Sequence, residues 1–172
     1  MSDAAVGDGV AAFNHLAADR ARAELLSCCA SPAWAEQMMA ARPYRSVQDV
    51  MALNDRTVAG LSEADLDAAL AGHPRIGERA ATSHERDWSS QEQADVGDAA
   101  DDVRRALADA NRDYERRFGH VYLVSASGRS ADQMLTLLYR RLGNDPATEW
   151  AVVRDELAKI NRIRLTKLLE DG

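Results

Sequence analysis

Apolar residues recur at three- and four-residue intervals over most of the chain, the repeat of helices that bury one face. The clearest run opens at Ser89 and carries Val96, Ala100, Val103, Leu107, Ala110 and Tyr114 to a stop at Gly119. Upstream, Val10, Phe13 and Leu16 begin a short helix after residues 1–9, a small, acidic, glycine-containing stretch that reads as a flexible lead-in. Asp19 is placed to cap a second helix bearing Leu25, Leu26 and Cys29, and Ser31-Pro32 starts a third through Trp34 and Met38 that Pro43 ends. Ser46 with Asp49 opens a fourth, turning Val47, Val50, Met51 and Leu53 inward and closing loosely over residues 54–60. Ser62 with Asp65 caps a fifth that ends at Gly72, with Leu61 and Leu66 in the two positions of a hydrophobic staple. Near the C-terminus, Ser130 and Gln133 form a capping box for a helix stopped by Gly143, and Asp145-Pro146 starts a long last helix.

Two stretches break the period. Residues 73–88 are polar and aperiodic, which predicts a surface-crossing segment with at most one short helical turn. Residues 120–126 are almost continuously apolar; periodicity cannot separate a buried extended run from a helix there, and the extended form is favoured. The expected fold is all-α: a compact bundle of about seven to nine helices, forming one domain over residues 10–172. An aromatic content of only 5 % in an alanine-rich chain fits close-packed helices better than sheets.

Charge narrows the partners. A net charge of −7 disfavours nucleic acid, whose affinity rests on neutralising phosphates. Lys159 and Lys167 are the only lysines among 21 basic residues, so a local guanidinium could still meet a small anionic ligand. Cys28 and Cys29 are adjacent on one helix and cannot form an ordinary disulfide, which suggests a reducing compartment. No apolar run approaches the ~20 residues of a membrane span, and the first residues lack the pattern of a signal peptide. The expected location is the cytoplasm, away from membranes.

Candidate chemistry lies where polar residues fall on core-facing positions, because an unpaired buried polar group costs a few kcal/mol. Glu92 and Ser89 continue the stripe of the Ser89 helix at its N-terminal end, with Gln93 at its border. Ser89-x-x-Glu92 is also a capping box, and a helix N-terminus with inward polar groups suits an anionic ligand as well. In the last helix Arg164 shares a stripe with Trp150, Val153, Leu157 and Ile160, either snorkelling from the helix end or aimed at a carboxylate. His73 sits between the Gly72 helix stop and Pro74, whose ring restricts the preceding residue, so its imidazole stands on a rigid corner. Its ordinary pKa near 6.5 suits proton transfer at neutral pH. His15, His84 and His120 show no ligand spacing, so no metal is expected. Phosphate-binding glycine loops and a Gly-x-Ser-x-Gly elbow are also missing from the sequence.

Gly72-His73-Pro74-Arg75-Ile76-Gly77, Ser89-x-x-Glu92-Gln93, Arg117-Phe118-Gly119-His120-Val121-Tyr122-Leu123-Val124 and Ile160-x-x-x-Arg164-Leu165 together resemble one family. It is the 2-oxo-4-hydroxy-4-carboxy-5-ureidoimidazoline (OHCU) decarboxylases of urate catabolism, and the likeness runs from about Phe13 to Leu168, including Arg42-Pro43 and the turn at Arg141 to Asp145. The resemblance implies a homodimeric all-α enzyme that needs no cofactor and converts OHCU into (S)-allantoin and CO2. It implies His73 and Glu92 as catalytic residues. Pro74, Ser89, Gln93, Tyr122, Leu123, Val124, Ser125, Ala126 and Arg164 are then substrate contacts. His120 stands where the family often has phenylalanine, Asp95 where a glycine is usual, and Ser125 where a cysteine is common. A non-catalytic helical interaction module is the alternative, which an exposed apolar stripe would favour.

Overall fold

The computed structural model describes residues 3–76 and 101–171, and the side chains from residue 7 onward within them. Among the described residues the fold is all-α, with eight helices and no strand, as the periodicity predicts. Contacts divide the chain into two compact units, Met1–Ala69 with Ala158–Gly172, and Leu70–Leu157.

The first unit holds α1 (Asp3–His15), α2 (Ala18–Cys28), α3 (Pro32–Ala40), α4 (Val47–Ala59), most of α5 (Glu63–Ala71) and the last part of α8 (Pro146–Asp171). Helix α3 packs against α2 and α4. The apolar faces meet in a core of Phe13, Leu25, Trp34, Met38, Val50, Val58, Leu66, Leu165 and Leu169, all buried. Local caps set several helix starts where the sequence places them. The Ser31 hydroxyl accepts from the Trp34 amide at 3.3 Å and the Ser46 hydroxyl from the Asp49 amide at 3.1 Å. At α5, Ser62 and Asp65 cap each other reciprocally, and the staple residues Leu61 and Leu66 are both buried.

Three expectations in this unit are corrected. The lead-in over residues 1–9 is helical from Asp3: Ala4 and Ala5 are strong helix formers, and Gly9 lets the backbone of α1 approach α8. A Cβ at Gly9 would stand 1.6 Å from the Leu169 carbonyl oxygen. At α2 the cap position is Ala17, which contributes no side-chain bond, and Asp19 lies in the first turn, where its charge favours the helix N-terminus. Helix α4 does not loosen at Asn54; it continues to Ala59. Asn54 is fully buried mid-helix because distant partners satisfy its amide: the Trp34 indole donates to it at 3.0 Å, Asn161 donates at 3.1 Å, and Asn54 donates to the Ala158 carbonyl at 3.2 Å. Arg42 similarly closes the end of α1, donating to the carbonyls of Phe13, Asn14 and Leu16 at 2.7–3.0 Å. Phe13 and Asn14 belong to the last turn of α1, whose carbonyls lack the usual intrahelical donors, and Leu16 follows the helix end.

The second unit is built on α6 (Asp101–Phe118), α7 (Ala131–Leu142) and the first part of α8. Helices α6 and α7 pack on each other through Leu107, Ala110 and Tyr114 on one side and Ala131, Met134 and Leu138 on the other. Gly119 ends α6 at φ 78°, a left-handed conformation that a side chain would strain. The Ser130–Gln133 capping box is present with both of its bonds, and Asp145 caps α8 through the Thr148 amide at 2.9 Å. Between Gly119 and α7, residues 121–126 run without helix, turn or bend, which removes the helical alternative for that apolar stretch.

Candidate active site

His73 lies just beyond α5, and its amide donates to the Leu70 carbonyl at 2.9 Å, closing the turn that follows the helix. The residue is half-buried, and its Nε2 atom is shielded from solvent. The next residues fasten this corner to α6. The Arg75 guanidinium pairs with Glu115, with Nη2 2.9 Å from Oε2, and Ile76 packs against the core cluster that includes Tyr122, Val124 and Ala126. Ile76, two residues past Pro74, and the 122–126 segment therefore share one apolar cluster in one unit.

All five residues of that segment, Tyr122, Leu123, Val124, Ser125 and Ala126, are buried, and their main chain is held at two points. Arg141 donates to the Leu123 carbonyl at 2.5 Å, and its guanidinium lies 4.7 Å from the Tyr122 ring centroid. Arg141 in turn pairs with Glu149 at 2.6 Å, and the Glu149 side chain has no solvent exposure. Tyr114 donates its hydroxyl to the same carboxylate, and Asn144 donates to it at 3.0 Å. Burial, reinforced by the hydrogen bond to Glu149, holds the Tyr114 phenol far above its ordinary pKa. Burial likewise pushes Tyr122, whose hydroxyl donates to the Met134 carbonyl at 3.1 Å, up to about 12. Two residues further along, the Ser125 amide donates to Glu156 at 2.6 Å.

His120 behaves as an aromatic packing residue. Its ring lies 4.3 Å from Trp150 and meets Tyr114 edge-on at 5.5 Å. Arg164 lies in the first unit, where it is 2 % exposed and donates to the Cys28 carbonyl at 3.3 Å. The snorkelling alternative is thus corrected, because the stripe occupied by Val153, Leu157 and Ile160 is itself buried at Arg164. Arg162, on the opposite face, is exposed and pairs with Asp55. Ser89, Glu92 and Gln93 lie outside the described residues.

Reading the sequence for core-facing polar groups missed Arg141, Glu149 and Glu156. The signal was there: Arg141 follows Leu138 on the buried stripe of α7, and Glu149 and Glu156 share one face of α8 with Val153 and Ile160. The rival reading as an interaction module finds little apolar surface. Among the described residues the one large hydrophobic side chain standing in solvent is Tyr139.

Fold and site define an all-helical protein in which a histidine follows a helix end and precedes a proline, and a buried main-chain run is anchored by buried charges. The family model of the OHCU decarboxylases matches residues 14–166, and the chain belongs to that family. It is 27 % identical over 144 residues to the 2-oxo-4-hydroxy-4-carboxy-5-ureidoimidazoline decarboxylase of Amia calva, covering 81 % of each chain. It is also 28 % identical over 148 residues to the uric acid degradation bifunctional protein TTL of Arabidopsis thaliana; the match covers 84 % of this chain but only 46 % of that longer protein. Among solved structures, OHCU decarboxylase crystallised in the presence of (S)-allantoin superposes with a TM-score of 0.74 at 27 % identity, over 86 % of this chain and 98 % of that one.

Proposed function

We propose that this chain decarboxylates OHCU to (S)-allantoin and CO2 in urate breakdown, without an added cofactor and with His73 as the proton donor. The observation that carries the reading is the family match along residues 14–166, which spans both the His73 corner and the 122–126 segment.

Loss of CO2 leaves the electron pair of the broken C–C bond on the substrate. Without a metal or an organic cofactor, that pair must spread into the substrate's own imine and carbonyl groups, steadied by donors already in place. Main-chain amides of the 122–126 segment, together with Ser89 and Gln93, hold the ring and ureido oxygens, and Pro74 shapes the wall beside His73. Glu92 accepts from the C4 hydroxyl or a ring N–H. His73 then delivers a proton to carbon from one face, which fixes the S product, and recovers its proton from water. Arg164 orients the substrate or meets a ring oxygen rather than gripping its carboxylate, since a pair that favours the ground state would have to be given up as CO2 departs. The working unit is a cytoplasmic homodimer.

The test is to generate OHCU freshly from urate with the two upstream activities, add this protein and follow optical rotation. Rapid appearance of the S enantiomer is expected, and a racemic time course no faster than spontaneous decay overturns the reading. Light scattering on the same sample checks the dimer.

A further inference from the structure

Glu149 and Glu156 are seven residues apart on α8, so they project from the same face two turns apart. Both carboxylates act on one short piece of main chain. Glu149 works through Arg141, whose Nη1 reaches the Leu123 carbonyl at 2.5 Å. Glu156 works directly, accepting the Ser125 amide at 2.6 Å, with Arg129 as counter-ion 3.4 Å from the same oxygen. Burying carboxylates is unfavourable, and the Glu156 side chain is only 9 % exposed. A neutral acceptor would satisfy one amide with less desolvation. What a carboxylate adds is a shorter, stronger hydrogen bond, and hence a stiffer main chain.

The two anchored groups belong to residues 123 and 125. In an extended run the N–H and C=O of one residue point to the same edge, and the next residue's point to the opposite edge. The anchors therefore take the Leu123–Ser125 edge, which turns the amides of Val124 and Ala126 to the other edge. The Ser125 amide itself is already committed to Glu156, so it is not among the donors that meet the substrate.

We propose that Glu156 is a positioning residue for catalysis: with Arg141 and Glu149 it clamps one edge of the 122–126 run, so that the Val124 and Ala126 amides stand as fixed donors to the substrate's ring or ureido oxygens. This inference rests on the decarboxylase reading above. Stiffness matters because donors stabilise developing charge best when they need no reorganisation at the moment of reaction.

Glu156→Gln tests it, because glutamine keeps the shape and an acceptor oxygen but holds the amide less firmly. The KM for OHCU and the Kd for (S)-allantoin are each expected to rise about threefold or more, at an unchanged cooperative melting transition, as a charge-assisted hydrogen bond becomes a neutral one. Glu156→Ala, where it folds, is expected to raise both further and to lower kcat. A merely structural role would shrink the folded fraction, lowering apparent kcat while leaving KM and Kd in place. An active wild-type protein whose folded glutamine variant keeps both constants within about threefold overturns this inference alone. An inactive wild-type protein overturns the decarboxylase reading, and this inference with it.

Discussion

Replacing Arg141 by methionine leaves Glu149 with its two neutral donors, Tyr114 and Asn144, but without the guanidinium that neutralises it. The carboxylate has no solvent exposure and the arginine side chain only 6 %, so the pair behaves as a buried one. Breaking a buried pair by removing one partner destabilises by about 3–5 kcal/mol, chiefly because a charge is stranded. The lost bond to the Leu123 carbonyl and the cation–π contact with Tyr122 act in the same direction, but they belong to one network and are not added separately. At ~2–4 °C per kcal/mol for a chain of this size, the melting temperature should fall by roughly 6–20 °C. The companion double variant, Arg141→Met with Glu149→Leu, removes both charges and should recover about half or more of the loss, since apolar replacements of buried pairs are often neutral or stabilising. Urea unfolding followed by circular dichroism measures both, with equal slopes as the check that only stability has changed. A single variant that costs under ~1 kcal/mol, or a double variant less stable than the single, would refute the view of Glu149 as a desolvated charge held by Arg141.

His73→Asn should abolish turnover while the fold persists; a variant retaining more than about a tenth of wild-type kcat removes His73 from the proton-transfer role, because acid–base catalysis contributes ~10²–10⁴-fold. Gly9→Ala and Gly7→Ala should differ in sign. A Cβ at Gly7 meets nothing within 4 Å, so alanine should gain up to ~1 kcal/mol of helix propensity, whereas at Gly9 it collides with the Leu169 backbone and should destabilise, as thermal melts would show. Burial pushes Tyr44 and Tyr122 up to about 12 and Tyr114 higher still. In the unfolded chain these phenols ionise near pH 10, so the folded form binds more protons above that pH. The stability they contribute is fully present below pH 10 and is lost as the pH rises toward 12; unfolding curves across that range, with ultraviolet phenolate absorbance, test the sign.

Helix type and several helix starts were legible from residues alone because they depend on contacts three or four positions apart. Ser31, Ser46, Ser62, Ser130 and Asp145 all cap where such spacing puts them, and Gly119 stops α6 where only a residue at ease with positive φ can. The Gly72-His73-Pro74 corner was legible for the same local reason. Other features depend on partners far along the chain, and there the helical period can say that a polar residue faces inward but not what satisfies it. Asn54 looked like a helix end and is instead a buried junction, because Trp34 and Asn161 reach it. Arg42 stands beside Pro43, which reads as a helix end, and it donates to the Phe13, Asn14 and Leu16 carbonyls 26 to 29 positions away. The anchoring of the 122–126 run by Glu149 through Arg141 and by Glu156 directly joins residues 8 to 31 positions apart. A buried charge is tolerated only where its partner is brought within hydrogen-bonding distance, and that is decided by the packing of α6, α7 and α8.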